Sequence, residues 1–122
     1  MVKSIFLIIV VCFVLPTPCF GKHKHSERYY IEKYCQGVKE KVLDDRSRCD
    51  CITSTHAIEY EFANNWKEGI GQSLNYAFYT NLKAGIVLIL ERKKDLRHLL
   101  HLNSIIEYYR LPITVYELKA YE

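Results

Sequence analysis

Asp50, Glu59 and Glu61 are three acids in a short stretch of chain, followed by a lone Lys67 and then by Gln72 and Tyr76, four residues apart. On a strand, AIEYEF (residues 57–62) sends Ala57, Glu59 and Glu61 to one face and Ile58, Tyr60 and Phe62 to the other. The two glutamates then stand about 7 Å apart on one face. Asp50, on the preceding strand, points opposite to Cys49 and Cys51, and a short turn makes that strand antiparallel to the one carrying Glu59. The three carboxylates are therefore expected to converge. Such a group repels itself unless a cation neutralises it, and Mg2+ or Mn2+ favours two carboxylates with a carbonyl oxygen and waters. The backbone oxygen of Tyr60, between the acids, is the natural extra ligand, so the expected metal ligands are Asp50, Glu59 and Tyr60. The plain alternative is a half-solvated strand whose acids face water.

Elements must be found that hold those residues. SERYYIEKYCQ (residues 26–36) opens at a serine able to cap a helix and places Ile31, Tyr34, Cys35 and Val38 on one stripe, with Gly37 ending it. VKEKVL, DDRS and RCDCIT predict strand, turn and strand, and STH turns the chain into AIEYEF, giving a three-stranded antiparallel meander. Trp66, Ile70, Leu74, Ala77 and Phe78 recur at helical spacing over residues 66–80, capped by Asn64 or Asn65. Gly69 and Gly71 cost that helix about 1 kcal/mol each, so a close approach, to packing or to a ligand, is expected there. AGIVLIL is a buried strand. Asp95 caps a second amphipathic helix running to Tyr109, with Leu96, Leu99, Leu100, Leu102, Ile105 and Ile106 inside, and PITVYEL returns as the last strand. The order helix, strand, strand, strand, helix, strand, helix, strand predicts an α/β sandwich around a mixed sheet.

The chain has 122 residues, a formal net charge of +3 and five cysteines. MVKSIFLIIVVCFVLPTPCFG has one early lysine, an apolar run from Ile5 to Leu15, and Pro16 and Pro18 before small residues, the layout of a signal peptide cleaved after Gly21. The run is well short of the roughly 20 residues a spanning helix needs, so a secreted or periplasmic domain of residues 22–122, without a stable membrane anchor, is expected. It is large enough for one core and no more. A pI near 8.6 gives only a mild preference for anions, weaker than a tight nucleic-acid binder usually shows. Cys12 and Cys19 leave with the signal. An oxidising compartment then permits one bridge from Cys35 to Cys49 or Cys51 with one thiol left over, and three reduced buried cysteines are equally compatible with the sequence. C-x-C lacks zinc spacing, and His23 and His25 lie in a polar segment expected to fray. No nucleophile elbow, Walker loop, dinucleotide fingerprint or HExxH is present, and a Cys51/His56 pair lacks an orienting third group.

The element order, Asp50 on the second strand, Glu59-Tyr60-Glu61 on the third and Gln72-Ser-Leu-Asn-Tyr76 on the next helix together resemble the PD-(D/E)xK nuclease superfamily, in particular its RecB-like branch with a QxxxY motif. The resemblance spans about residues 26–118. It implies a restriction-endonuclease-like sandwich and Mg2+- or Mn2+-dependent hydrolysis of nucleic acid, DNA before RNA, with Asp50, Glu59, Glu61 and Lys67 as catalytic residues. Gln72 and Tyr76 would hold a phosphate or a nucleotide end; a polar helix flank is their plainer reading. Two departures stand out. Cys49 occupies the motif's proline position, a harmless change. Glu61 occupies its lysine position, where an acid supplies no positive charge to a phosphorane. Lys67, at the start of the following helix, is the candidate for a migrated lysine, against the alternative of a solvated first-turn lysine. Glu27, one turn before Ile31, is the candidate for the extra acid that family members carry, although first-turn acids also complement the helix dipole. The lysine departure leaves open an inactive binding or effector domain on the same fold, and an exported interaction domain stapled by a disulfide would use the chain's many tyrosines, among them Tyr108, Tyr109 and Tyr116, as contact residues.

Overall fold

A computed structural model describes residues 22–122. The expected signal peptide, residues 1–21, lies outside the described residues. Among the described residues no helix is long and apolar enough to cross a membrane.

Eight principal elements follow the expected order: α1 (Glu27–Tyr34), β1 (Val38–Val42), β2 (Arg48–Ile52), β3 (His56–Phe62), α2 (Trp66–Thr80), β4 (Lys83–Leu90), α3 (Leu96–Tyr109) and β5 (Ile113–Lys119). They build one five-stranded sheet of order β1-β2-β3-β4-β5. β1, β2 and β3 form the antiparallel meander, and β4 and β5 join parallel to β3 through α2 and α3. Because the sheet grows in one direction through two helical crossovers, both crossover helices fall on one face, and α1 covers part of the other.

The alternation read in AIEYEF is present. Ile58, Tyr60 and Phe62 pack with Tyr30 and Ile31 of α1 and with Val87 and Ile89 of β4. On the opposite face Ala84, Ile86, Leu88 and Leu90 of β4 meet Trp66 of α2 and Leu99 and Leu102 of α3. β4 is buried on both faces, which is why its sequence is an unbroken apolar run.

Several expected core positions are not in the core. Phe78 is 79 % exposed and Leu100 65 % exposed, and Leu96, Tyr34 and Val38 also reach solvent. Each lies on the margin of its apolar stripe. α1 stops at Tyr34 and turns inward through Tyr30 and Ile31 instead. Gly37 does not end the helix; it lets the backbone pass Ile52, whose carbonyl oxygen lies 1.9 Å from where a Cβ would stand. Ser26 caps α1 as expected, accepting from the Tyr29 N–H at 3.3 Å. Asn65 and Asp95 hold the N-cap positions of α2 and α3 without making side-chain cap bonds. The Asp95 carboxylate turns back to accept from the Glu91 and Arg92 N–H groups, both at 3.0 Å.

Cys35 and Cys51 are bridged, which ties α1 to β2 across a sequence separation of 16, while Cys49 is a buried free thiol. The segment expected to fray is docked: the His23 ring stacks on Phe62 at 3.6 Å and its Nδ1 bonds Glu91, which also accepts from the Lys24 N–H at 2.8 Å.

Candidate acidic site between β2, β3 and α1

The site begins where β2 and β3 part. Their ladder pairs Ile52 with Ala57 and Cys51 with Ile58 and goes no further. Beyond that point the Tyr60 N–H has no strand carbonyl, and Asp50 Oδ2 accepts from it instead at 2.8 Å. Simple alternation also breaks in β2, opposite Glu40 of β1, whose φ is 49°. Cys51 packs with α1 and Ile58, whereas Cys49 packs with Ala57 and Tyr76. The two cysteines, expected on one face, therefore belong to different clusters.

Glu59 and Glu61 lie beneath α2, each only 4 % exposed. Gly69 stands over Glu61, a Cβ there meeting the Glu61 side chain at 3.5 Å, an ordinary contact. Gly71 faces open space, so the close approach expected of both glycines holds for Gly69 alone. The acids associate in pairs. Glu59 faces Asp50; burial first, and then the Asp50 charge, raise its pKa to about 10. Asp50 is itself raised by burial, with the Tyr60 N–H opposing the shift. Glu61 faces Glu27; burial, then the Glu27 charge, raise it to about 8. Glu27 is raised by burial and by the Asp50 charge. Near neutral pH each pair holds a proton, because two buried carboxylates side by side cannot both stay ionised.

Among the described residues no group of three or more Asp, Glu, His or Cys side chains stands in a metal-holding arrangement. Asp50, Glu59, Glu61 and Glu27 are close enough to raise one another, the largest charge on Glu59 being Asp50 and the largest on Glu61 being Glu27. Local bonds orient them: Asp50 accepts from the Tyr60 N–H, and Glu61 Oε1 accepts from the Phe62 N–H at 3.1 Å while its carboxyl is turned toward Glu27 and Asn65.

Tyr76 is brought to the site. It is 5 % exposed, and burial followed by the Glu59 charge raises its hydroxyl well above the usual tyrosine range. Gln72, one turn earlier on α2, is exposed, so the two motif residues do not form a common pair of contacts. Lys67 is exposed in the first turn of α2 with its ammonium 5.7 Å over the Trp66 ring. The group facing Glu61 from this region is the half-buried Asn65 amide, which favours the ionised form. Helical spacing marks Asn65 only as a cap for α2; the signal of its second role is its place in the 3-10 turn (Ala63–Asn65) that follows Phe62. Cys49, packed against Tyr76, is pushed up to about 11 by burial, so it is an inert thiol and not a nucleophile. A groove of about 910 Å³ lies on the α1 face, floored by Ile58, Tyr60, Val87 and Leu118, away from the faces of Glu59 and Glu61.

The donor set suits a hard divalent cation. Its groups are carboxyl oxygens, and Glu59 Oε2 is buried with no hydrogen-bond partner. An ion such as Mg2+ commonly takes one or two protein carboxylates and completes its shell with water, so Asp50 and Glu59, deprotonated, would hold it. Comparisons of the chain with known protein families, with curated proteins and with solved structures found no match.

Proposed function

We propose that this domain, exported after removal of residues 1–21, is a Mg2+- or Mn2+-dependent phosphodiester hydrolase of nucleic acid, DNA before RNA, on a restriction-endonuclease-like plan. The observation that carries the reading is the buried, partnerless Glu59 Oε2 in a carboxyl pair with Asp50. A buried acid is costly, and a site that keeps two pairs of them is built for a cation or for proton transfer. A bound cation supplies Lewis-acid polarisation of a phosphoryl oxygen and a more acidic water. The chain supplies the rest. Asp50 and Glu59 would bind through their oxygens, and the backbone carbonyl of Tyr60, which stands between Glu59 and Glu61 in sequence, would be a further donor. Glu61, anchored at Oε1 by the Phe62 N–H, exchanges a proton at Oε2, and a pKa near 8 suits a general base close to neutral pH. Tyr76 fixes the orientation of the Glu59 carboxyl.

The position of Lys67 favours a second reading. With Glu61 at the motif's lysine position and the Lys67 ammonium against Trp66, the fold can bind a cation and nucleic acid without turning over. One experiment separates the two. Added Mn2+ is expected to raise the melting temperature, through about 2.7 kcal/mol of stabilisation at 100 times its Kd. It is also expected to support cleavage of plasmid or oligonucleotide DNA, with both effects absent in Asp50→Asn. Stabilisation without cleavage selects the binding domain; indifference to Mn2+ and Mg2+ refutes both.

A further inference from the structure

We infer that the exposed basic edge formed by Lys93, Lys94 and Arg97, extended by Lys24 and Lys67, is a docking surface for the phosphate backbone of a nucleic acid. The proposed phosphodiester chemistry enters only in choosing nucleic acid among polyanions. In sequence, ERKKDLR (residues 91–97) is a mixed run with two acids among four bases. The fold makes it one-signed. Glu91 is turned inward, where His23 Nδ1 and the Lys24 N–H bond its two oxygens. Asp95 is buried and takes the Glu91 and Arg92 N–H groups, with Arg92 also 3.7 Å away as its ion pair. Both acids are consumed by internal bonds. The same bonds fold Lys93–Asp95 into a 3-10 turn that displays Lys93 and Lys94 in solvent. Among the described residues none of Lys24, Lys67, Lys93, Lys94 and Arg97 has a carboxylate ion pair.

The surface borders the acidic site. Phe62, next to Glu61, carries the His23 ring, and Glu91 follows the last residue of β4. Residues 22–27 thus pass from Glu91 to Glu27, which pairs with Glu61. On α3, Arg97 and His101 are one turn apart, and the His101 ring meets Trp66, over which the Lys67 ammonium lies. Exposed cations therefore lie along the segments that lead to the buried acid cluster, Lys67 beside the exposed Glu68. A backbone of phosphates is the partner that such spacing neutralises, because each contact releases condensed counterions and several sum along a strand.

The test is fluorescence anisotropy of the purified protein with labelled single- and double-stranded DNA in EDTA, over a range of salt. Lys93→Gln/Lys94→Gln/Arg97→Gln is expected to weaken binding at least tenfold near ~0.1 M salt and to flatten the log–log salt slope by about 2 to 3, with melting unchanged. A control removing equal charge elsewhere, Lys33→Gln/Lys41→Gln/Arg48→Gln, is expected to bind within about twofold of wild type, since only a diffuse net-charge effect remains. Equal losses in both triples, no loss in the first, or a wild type that binds vesicles of anionic lipid but neither DNA overturns the proposal. Binding that behaves as expected in a protein unable to cleave with Mn2+ removes the hydrolase reading and leaves this surface standing. Cleavage by a protein whose DNA binding ignores Lys93, Lys94 and Arg97 does the reverse.

Discussion

Raising the pH should destabilise the metal-free protein, in a window where carboxylate-rich proteins usually change little. Glu59 and Glu61 are raised to about 10 and about 8, against 4.5 for an unburied glutamate. A carboxyl whose folded pKa is raised keeps its proton in the native state after the unfolded chain has lost it. Its stabilising effect is therefore complete below the unfolded pKa and is lost as pH climbs toward the folded value. The slope is about 1.4 kcal/mol per pH unit for each proton held only by the native state. Between pH 6.5 and 8 one pair alone loses about 2 kcal/mol, and both pairs together about 4. The window avoids two other groups. His98, lowered by burial and by Arg97, acts with the opposite sign below 6.5, and Cys49, with an ordinary value of 9.0, contributes only above the window. For a domain of this size the smaller figure corresponds to a fall in Tm of about 8 °C or more. Thermal melts by circular dichroism in EDTA measure it. Glu59→Gln and Glu61→Gln, which keep the shape of a protonated carboxyl, should each remove about half the slope and melt above wild type at pH 8. Saturating Mn2+ should flatten the slope, because the cation takes the ionised oxygens and leaves the native pair it binds with no more protons than the unfolded chain. A wild-type Tm that is flat or rises from pH 6.5 to 8 without metal, or a double glutamine variant with the wild-type slope, refutes the paired, protonated site.

The Lys67 ammonium lies against Trp66, and on that placement Lys67→Ala is expected to change Mn2+-dependent cleavage by less than about threefold. A loss of 100-fold or more, roughly 3 to 4 kcal/mol of transition-state stabilisation as for an oxyanion donor, would show that the lysine swings into the site. The Cys35–Cys51 bridge closes a loop of sequence separation 16, so Cys35→Ser/Cys51→Ser should cost about 3 kcal/mol in urea melts. An unchanged midpoint would mean that the packing of α1 on Tyr60 and Phe62 already restricts this segment in the unfolded ensemble.

What could be read from the sequence followed periodicity, and what could not depended on where pairing stops. A period of two in AIEYEF assigns Glu59 and Glu61 to the face opposite Tyr60, and nothing later in the fold can undo that without moving Tyr60 and Phe62 out of the α1 core. The burial of AGIVLIL follows from its unbroken apolar run, which must be covered on both sides; α2 and α3 cover one face and α1 the other. The end of the β2–β3 ladder has no such signature. It is fixed by the competition between a ladder carbonyl and the Asp50 carboxylate for one N–H, and it sets the angle of Asp50. His23 was read as frayed because its partner Glu91 lies 68 residues away in sequence. Phe78 and Leu100 were read as core because helical spacing gives a stripe but not its width.

The least legible step carries the most chemistry. Alternation shows which face two acids share and is silent on what neutralises them. In the fold, the residue presented to Glu61 from the 3-10 turn is Asn65, an amide, while Lys67 two positions later faces the Trp66 ring. A lysine at the first place would have made a salt bridge and depressed the carboxyl; an amide opposes burial without overcoming it, and protons fill the role of the missing cation. Any divalent ion that enters must therefore displace protons from Asp50, Glu59 or their neighbours. Metal affinity should rise with pH over the same range in which metal-free stability falls, because the two are one proton equilibrium seen from its bound and unbound sides.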